Sequence, residues 1–302
     1  MKRVLVIVPT KDRSECLNIF IQNLIMQDEF QRFEEESCGV EKVMDFDVFI
    51  ADMSTEPLYL KNNWLVDTST RRFAHLGHNW AVVRVPGNNQ LYGYQAGLEF
   101  ARDNGYEYAF AGDDDIVLSL GWLDMAFRDL ESPFVGGDKA SCVCGPTLIP
   151  WESEESQKQD GIHGVWSHTE EFQGKLEPVP HFFHVTRIPP DNKIREYEQI
   201  YGPFMLRVKD FLDVGGFPTW LSRLGFRGEM MAQTATFFNG RKLLLDPTLK
   251  SWHYSVSTGG LRWVQGDDRK DCLEQDMKSW QRFMSLRKPT TRKGDIWMPG
   301  VD

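Results

Sequence analysis

The 302-residue sequence predicts an α/β protein, a mostly parallel sheet flanked by helices in a single large domain. Three observations lead there. β-like apolar runs alternate with helix-like stretches through the first half, the first run is unbroken from Val4 to Val8, and successive runs end in polar residues on what must be one edge.

Each element follows from local chemistry. Val4-Leu5-Val6-Ile7-Val8 has the continuous β-branched character of a strand buried on both faces, and Pro9-Thr10 ends it. Ser14 offers an N-cap to a helix carrying Leu17, Phe20, Ile21, Leu24 and Ile25 at helical spacing. A second strand, Asp47 to Ala51, runs into Asp52-Met53-Ser54, and a third, Ala81 to Val85, stops at Pro86-Gly87. Leu91 to Asn104 reads as a helix closed by Gly105, feeding a fourth strand, Tyr106 to Ala111, that discharges into Gly112-Asp113-Asp114-Asp115. Cys142 and Cys144 alternate as same-face strand residues do. Periodicity is lost from Trp151 to Asn192, a long excursion over the surface, and order returns at Tyr201 to Leu206, a short helix near Lys209 to Val214, and the Gly215-Gly216-Phe217 turn. A helix around Glu229 to Phe238 ends at Asn239-Gly240; strands near Lys242–Leu245 and Ser251–Tyr254 precede an amphipathic helix from about Asp267 to Leu286.

Composition excludes several classes. With 41% hydrophobic and 26% charged residues the chain is ordinary globular protein, and its ten Trp are mostly large core residues with some capacity to stack on ring-shaped ligands. No apolar run approaches the roughly 18 residues of a membrane span, and the start of the chain is too short in apolar residues for a signal peptide, so a cytoplasmic location is expected. Five scattered cysteines argue against a disulfide framework. A net charge of −10 opposes attraction to nucleic acid or anionic lipid, and the basic tail from Arg287 to Lys293 reads as a solvated terminus. The pairs His75/His78 and His181/His184 lack a coherent third and fourth ligand for zinc.

Three adjacent aspartates closing a strand repel one another, and something positive must offset that repulsion. A bound Mg²⁺ or Mn²⁺ is the simplest offset, since both take oxygen ligands and bridge carboxylates to substrate phosphates. In an extended segment Asp113 and Asp115 project to one side, which suits joint chelation, and Asp114 points away.

Taken in order, Pro9-Thr10-Lys11-Asp12-Arg13, Asp52-Met53-Ser54, and Ala111 through Asp113-Asp114-Asp115 to Gly121-Trp122-Leu123 resemble the family-2-like nucleotide-sugar glycosyltransferases with the Rossmann-like GT-A fold. Weaker agreement continues through Gly202-Pro203-Phe204-Met205, Val214-Gly215-Gly216-Phe217, Gly228-Glu229, Leu245-Asp246-Pro247 and Trp252-His253. The resemblance implies a nucleotide-sugar-binding half over residues 1–130, with an acceptor-binding half over 131–302. Pro9, Thr10 and Arg13 would line the donor pocket, Asp52 would hydrogen-bond the nucleoside, and Asp113 and Asp114 would join the donor-binding set. Asp113, Asp115 and His253 would hold Mn²⁺ or Mg²⁺, and Glu229 would act as the base toward the acceptor. Met230 replaces the usual second acid, so inverting and retaining outcomes both stay open. Tyr94-Gln95 replaces the usual Arg-Asn pair, so that arginine's pyrophosphate contact does not carry over. Ser257 to Trp263 could fold as a lid, bringing Arg262 to phosphate.

The donor implied is a nucleoside diphosphate sugar, UDP-linked by analogy. The acceptor is open among a glycan, a lipid-linked sugar, a protein and a modified nucleobase in DNA. Two other readings compete: a nucleotidyltransferase, disfavoured because the loop after the first strand has no glycine, and a binding module without turnover, kept alive by Met230.

Overall fold

The computed structural model of the protein describes residues 2–87, 89–135, 140–148, 193–197, 202–223, 225, 228–253 and 266–285. Alternating positions of the first strand, β1 (Lys2–Thr10), feed two cores: Leu5 and Ile7 pack on one side of the sheet, and Val4, Val6 and Val8 on the other. A strand covered on both faces needs apolar residues at every position, hence the unbroken run. There follow α1 (Ser14–Cys38), β2 (Met44–Asp52), α2 (Glu56–Arg72), β3 (Trp80–Arg84), α3 (Gln90–Asp103) and β4 (Tyr108–Ala111). These four strands lie parallel in the order β3-β2-β1-β4. Thr10 pairs with Asp52 and Ile7 with Ala111, so the carboxyl ends of β1, β2 and β4 share one edge.

The remaining elements are β5 (Ile116–Leu118), α4 (Trp122–Glu131), β6 (Ala140–Cys144), β7 (Thr147–Leu148), β8 (Arg195–Tyr197), β9 (Phe204–Arg207), α5 (Val208–Leu212), α6 (Gly228–Phe238), β10 (Lys242–Leu245), β11 (Ser251–His253) and α7 (Gly266–Ser285). The large sheet continues as β4-β9-β6-β10-β8 and becomes mixed where β9 enters antiparallel to both of its neighbours. β5, β11 and β7 form a second, three-stranded sheet. Its register sets His253 opposite Ile116, the residue that follows the three aspartates.

Three local differences from expectation have physical causes. α2 was invisible to apolar periodicity because its buried face is Asn62, Val66 and Ser69, two of them polar. Ser14 is the first helical residue of α1 and Arg13 takes the capping position without a side-chain cap, because a guanidinium has donors only and cannot accept from the first-turn amides. The fourth strand begins at Tyr108 rather than Tyr106. The excursion over 151–192 lies outside the described residues, as do the lid segment with Arg262 and the basic tail.

Two glycines decide how closely α3 approaches the sheet. A Cβ on Gly97 would stand 2.3 Å from Cγ2 of Ile7, and one on Gly93 would stand 2.9 Å from Cβ of Pro9. Side chains there would push the helix outward, so the bare backbone brings Gln90 and Tyr94 to the strand ends. Among the described residues, no helix is long and apolar enough to cross a membrane.

Candidate active site

The chain leaves β4 at Ala111 and makes a tight turn through the three aspartates before β5. Because the segment turns, it does not send Asp113 and Asp115 to one side as an extended stretch would. Asp114 and Asp115 point inward, 0% and 1% exposed, and share the guanidinium of Arg13. Nη1 of Arg13 donates to Oδ2 of Asp115 at 2.5 Å, Nη2 donates to Oδ1 of Asp114, and Oγ1 of Thr10 donates to Oδ2 of Asp114 at 2.6 Å. Burial pushes the Asp114 carboxyl up, and the Arg13 charge pulls it back. The positive partner required by two of the three acids is therefore part of the chain.

Asp113 goes the other way. Its Oδ1 accepts a hydrogen bond from the hydroxyl of Tyr94 at 2.7 Å, and it lines a cavity of about 30 Å³ together with Glu229, Ile116, Pro203 and Phe204. The antiparallel pairing of Ala111 with Phe204 brings Pro203 against this turn. Glu229 stands in the first turn of α6, where Oε1 accepts from Nε2 of Gln90. Burial first, and the neighbouring Asp113 second, push its carboxyl up to about 7. A space of this size holds roughly one water. It suits a hydroxyl or an ion, with the bulk of any larger ligand outside.

The first turn of α3 is fixed from beneath. Asn89 caps the helix by accepting from the Leu91 amide at 3.0 Å, and its Nδ2 donates to the Ser222 carbonyl at 2.7 Å. The buried Asp276 of α7 holds Ser222 in turn, through the backbone amide at 2.8 Å and the hydroxyl at 2.7 Å.

The other residues singled out by sequence are distributed as follows. Pro9 and Thr10 close β1 beside the acidic turn. Asp52 is 0% exposed; its Oδ1 accepts from the Ser54 amide and its Oδ2 from Nδ2 of Asn62, each at 2.8 Å, so in this structure it ties the β2–α2 loop. His253 lies beside the turn by strand register. Sequence reasoning gave Gln90 no role and treated Tyr94 only as a departure from the expected arginine, yet both hold acids of the cavity. Gln95, the other half of that departure, turns away to accept from the Phe217 amide at 2.9 Å.

A separate group, Asp28, Asp45 and His78, offers three ligand atoms within 4.8 Å of one another. Lys42 bonds both carboxylates and Arg32 bonds Asp28, which makes the group an ion-pair network with its cations built in.

No family model and no curated protein matches the chain. Solved structures do. A structure of GalNAc-T7 with UDP, GalNAc and Mn²⁺ superposes with a TM-score of 0.54 at 12% identity, covering 84% of this chain and 44% of that one. S. aureus TarS superposes at 0.55 and 12% identity, covering 97% of this chain and 41% of its own. The fold is thus the GT-A type, a central mostly parallel sheet flanked by helices, and the chain spans less than half the length of either neighbour.

Proposed function

We propose that the chain is a metal-dependent glycosyltransferase that moves a sugar from a nucleoside diphosphate sugar, a UDP-sugar first among the options, to a hydroxyl acceptor. One observation carries the reading: Asp113 and Glu229 line the same small cavity at the carboxyl edge of parallel strands, where ligands of open α/β sheets bind. Support comes from the GT-A fold and from the neighbour holding UDP, GalNAc and Mn²⁺. Membership of family 2 and a cytoplasmic setting belong to the same proposal.

The donor set fits a hard cation, because carboxylate oxygen is the ligand Mn²⁺ and Mg²⁺ prefer and Asp113 presents it at the cavity. His253 is the further ligand proposed, and Asp115, turned onto Arg13, would join it only by giving up that pairing. When bound, the cation supplies neutralisation of charge on the departing diphosphate. Pro9, Thr10, Arg13, Asp52, Asp113 and Asp114, on the same edge, are the donor-binding set proposed, with Arg262 from the segment outside the described residues.

Arg13 acts by holding Asp114 and Asp115 in place, so that the turn keeps its shape when the donor arrives. Glu229, with a carboxyl near 7, is partly ionised at neutral pH and takes the proton of the acceptor hydroxyl as attack begins. The amide of Gln90 holds the carboxylate during that transfer. The acceptor is a glycan, a lipid-linked sugar, a protein or a modified nucleobase, approaching on the side of residues 131–302.

The test is a panel of nucleotide sugars with Mn²⁺, assayed for release of nucleoside diphosphate. Asp113→Asn is expected to lower release on the order of a hundredfold. Release of pyrophosphate instead points to a nucleotidyltransferase, and donor binding with no release from any sugar nucleotide points to a binding module; either result ends the glycosyltransferase reading.

A further inference from the structure

We propose that one turn of α3 is a two-armed brace, in which Gln90 positions Glu229 and Tyr94 positions Asp113, keeping the two acids to separate tasks on acceptor and metal. The inference rests on the glycosyltransferase reading above. Gln90 and Tyr94 are four residues apart and so neighbours on one helix face. Nε2 of Gln90 donates to Oε1 of Glu229, and the Tyr94 hydroxyl donates to Oδ1 of Asp113 at 2.7 Å. Both arms are neutral donors, which orient a carboxylate without cancelling its charge. Arg13, by contrast, is a cation and offsets part of the charge of the two aspartates beside it.

The arms are rigid. Tyr94 is 3% exposed, with its ring 5.1 Å from that of Phe217 between centroids. Gly93 and Gly97 seat the helix directly on β1, and the chain of bonds from Asp276 through Ser222 to Asn89 pins its first turn. Tyr94 stands where the family resemblance calls for arginine, and it exchanges a phosphate contact for a hold on Asp113. Groups behind a metal ligand orient it, and their loss typically weakens metal binding roughly 10–100-fold.

The experiment uses the full chain and two near-isosteric variants. Mn²⁺ is titrated without donor, following the loss of the free-ion EPR signal, and release of nucleoside diphosphate is measured across acceptor concentrations. Tyr94→Phe is expected to weaken Mn²⁺ binding about tenfold or more and to leave the acceptor KM where it was. Gln90→Met is expected to bind Mn²⁺ as the parent does and to lose about tenfold in kcat. Unchanged Mn²⁺ affinity in Tyr94→Phe overturns the brace, as does a parallel loss of both parameters in both variants tracking a fall in Tm. A parent chain that binds no Mn²⁺ and releases no nucleoside diphosphate removes the glycosyltransferase reading and the brace with it. An active parent with unmoved variants removes the brace alone.

Discussion

Asp114 and Asp115 turn inward onto the guanidinium of Arg13, whereas Asp113, next to them in the chain, meets the hydroxyl of Tyr94 and lines a cavity with Glu229. Three identical side chains thus divide between two environments. On the Arg13 side, two buried charges are answered by a cation of the protein itself, which makes that side a fixed wall. On the α3 side, Asp113 and Glu229 take hydrogen bonds from the neutral side chains of Tyr94 and Gln90, and both line the cavity. The partner opposite a carboxylate, more than its place in a motif, decides what it can do.

The sharpest way to break the contrast is Arg13→Met. Removing one partner of a buried ion pair leaves uncompensated charge, and a loss of about 3–5 kcal/mol in unfolding free energy is expected by urea denaturation. The loss should shrink on acidification, because Asp114 freed of Arg13 takes up a proton more readily. A pH-independent change below about 1 kcal/mol would mean that Arg13 is dispensable to the wall.

On the opposite side the effect should appear in rate. Glu229 must be ionised to accept a proton, so kcat/KM should rise with pH as this buried, raised carboxyl ionises, and a cation on Asp113 would draw the rise below about 7. Glu229→Gln should remove that rise and cost on the order of a hundredfold in rate. In stability the sign is reversed. A carboxyl raised from 4.5 to about 7 on folding contributes stability that is complete below its unfolded value and lost as pH climbs through 7.

The smallest effect concerns a pair outside the site. Burial, and then a hydrogen bond with Asp246, push the Asp129 carboxyl up to about 8, so this acid is answered by another acid instead of a cation. The same sign rule applies: the pair's contribution is present below the ordinary carboxylate range and disappears as pH rises through about 8. Thermal melts of Asp129→Asn should show a flatter decline in Tm between pH 5 and 9 than the parent. An identical decline would mean that the pair shares no proton.

Much of this was readable before any coordinates. The unbroken apolar run at Val4–Val8 and the Gly105 and Gly240 stops match element ends within a residue or two, and the helix signal at Leu17–Ile25 matches α1, which runs on to Cys38. α2 was not readable, since its inner face is largely polar, and neither were β5 and β7 of the second sheet, which are three and two residues long; only its strand at Ser251–His253 was. At the site, sequence marked Asp113 and Glu229, and both line the cavity. It could not show that Arg13 answers Asp114 and Asp115, because that contact spans about a hundred residues and depends on where β1 and β4 end.

What the sequence by itself determined is the layered α/β architecture and the concentration of acid at one strand end, since apolar period and chain punctuation are local properties that backbone geometry reads directly. Tertiary structure alone decided which acid faces inward and which faces the cavity. That choice is a balance of desolvation against partner charge, and the partners, Arg13, Tyr94 and Gln90, reach the acids only once α3 has settled on the sheet and β1 and β4 lie side by side.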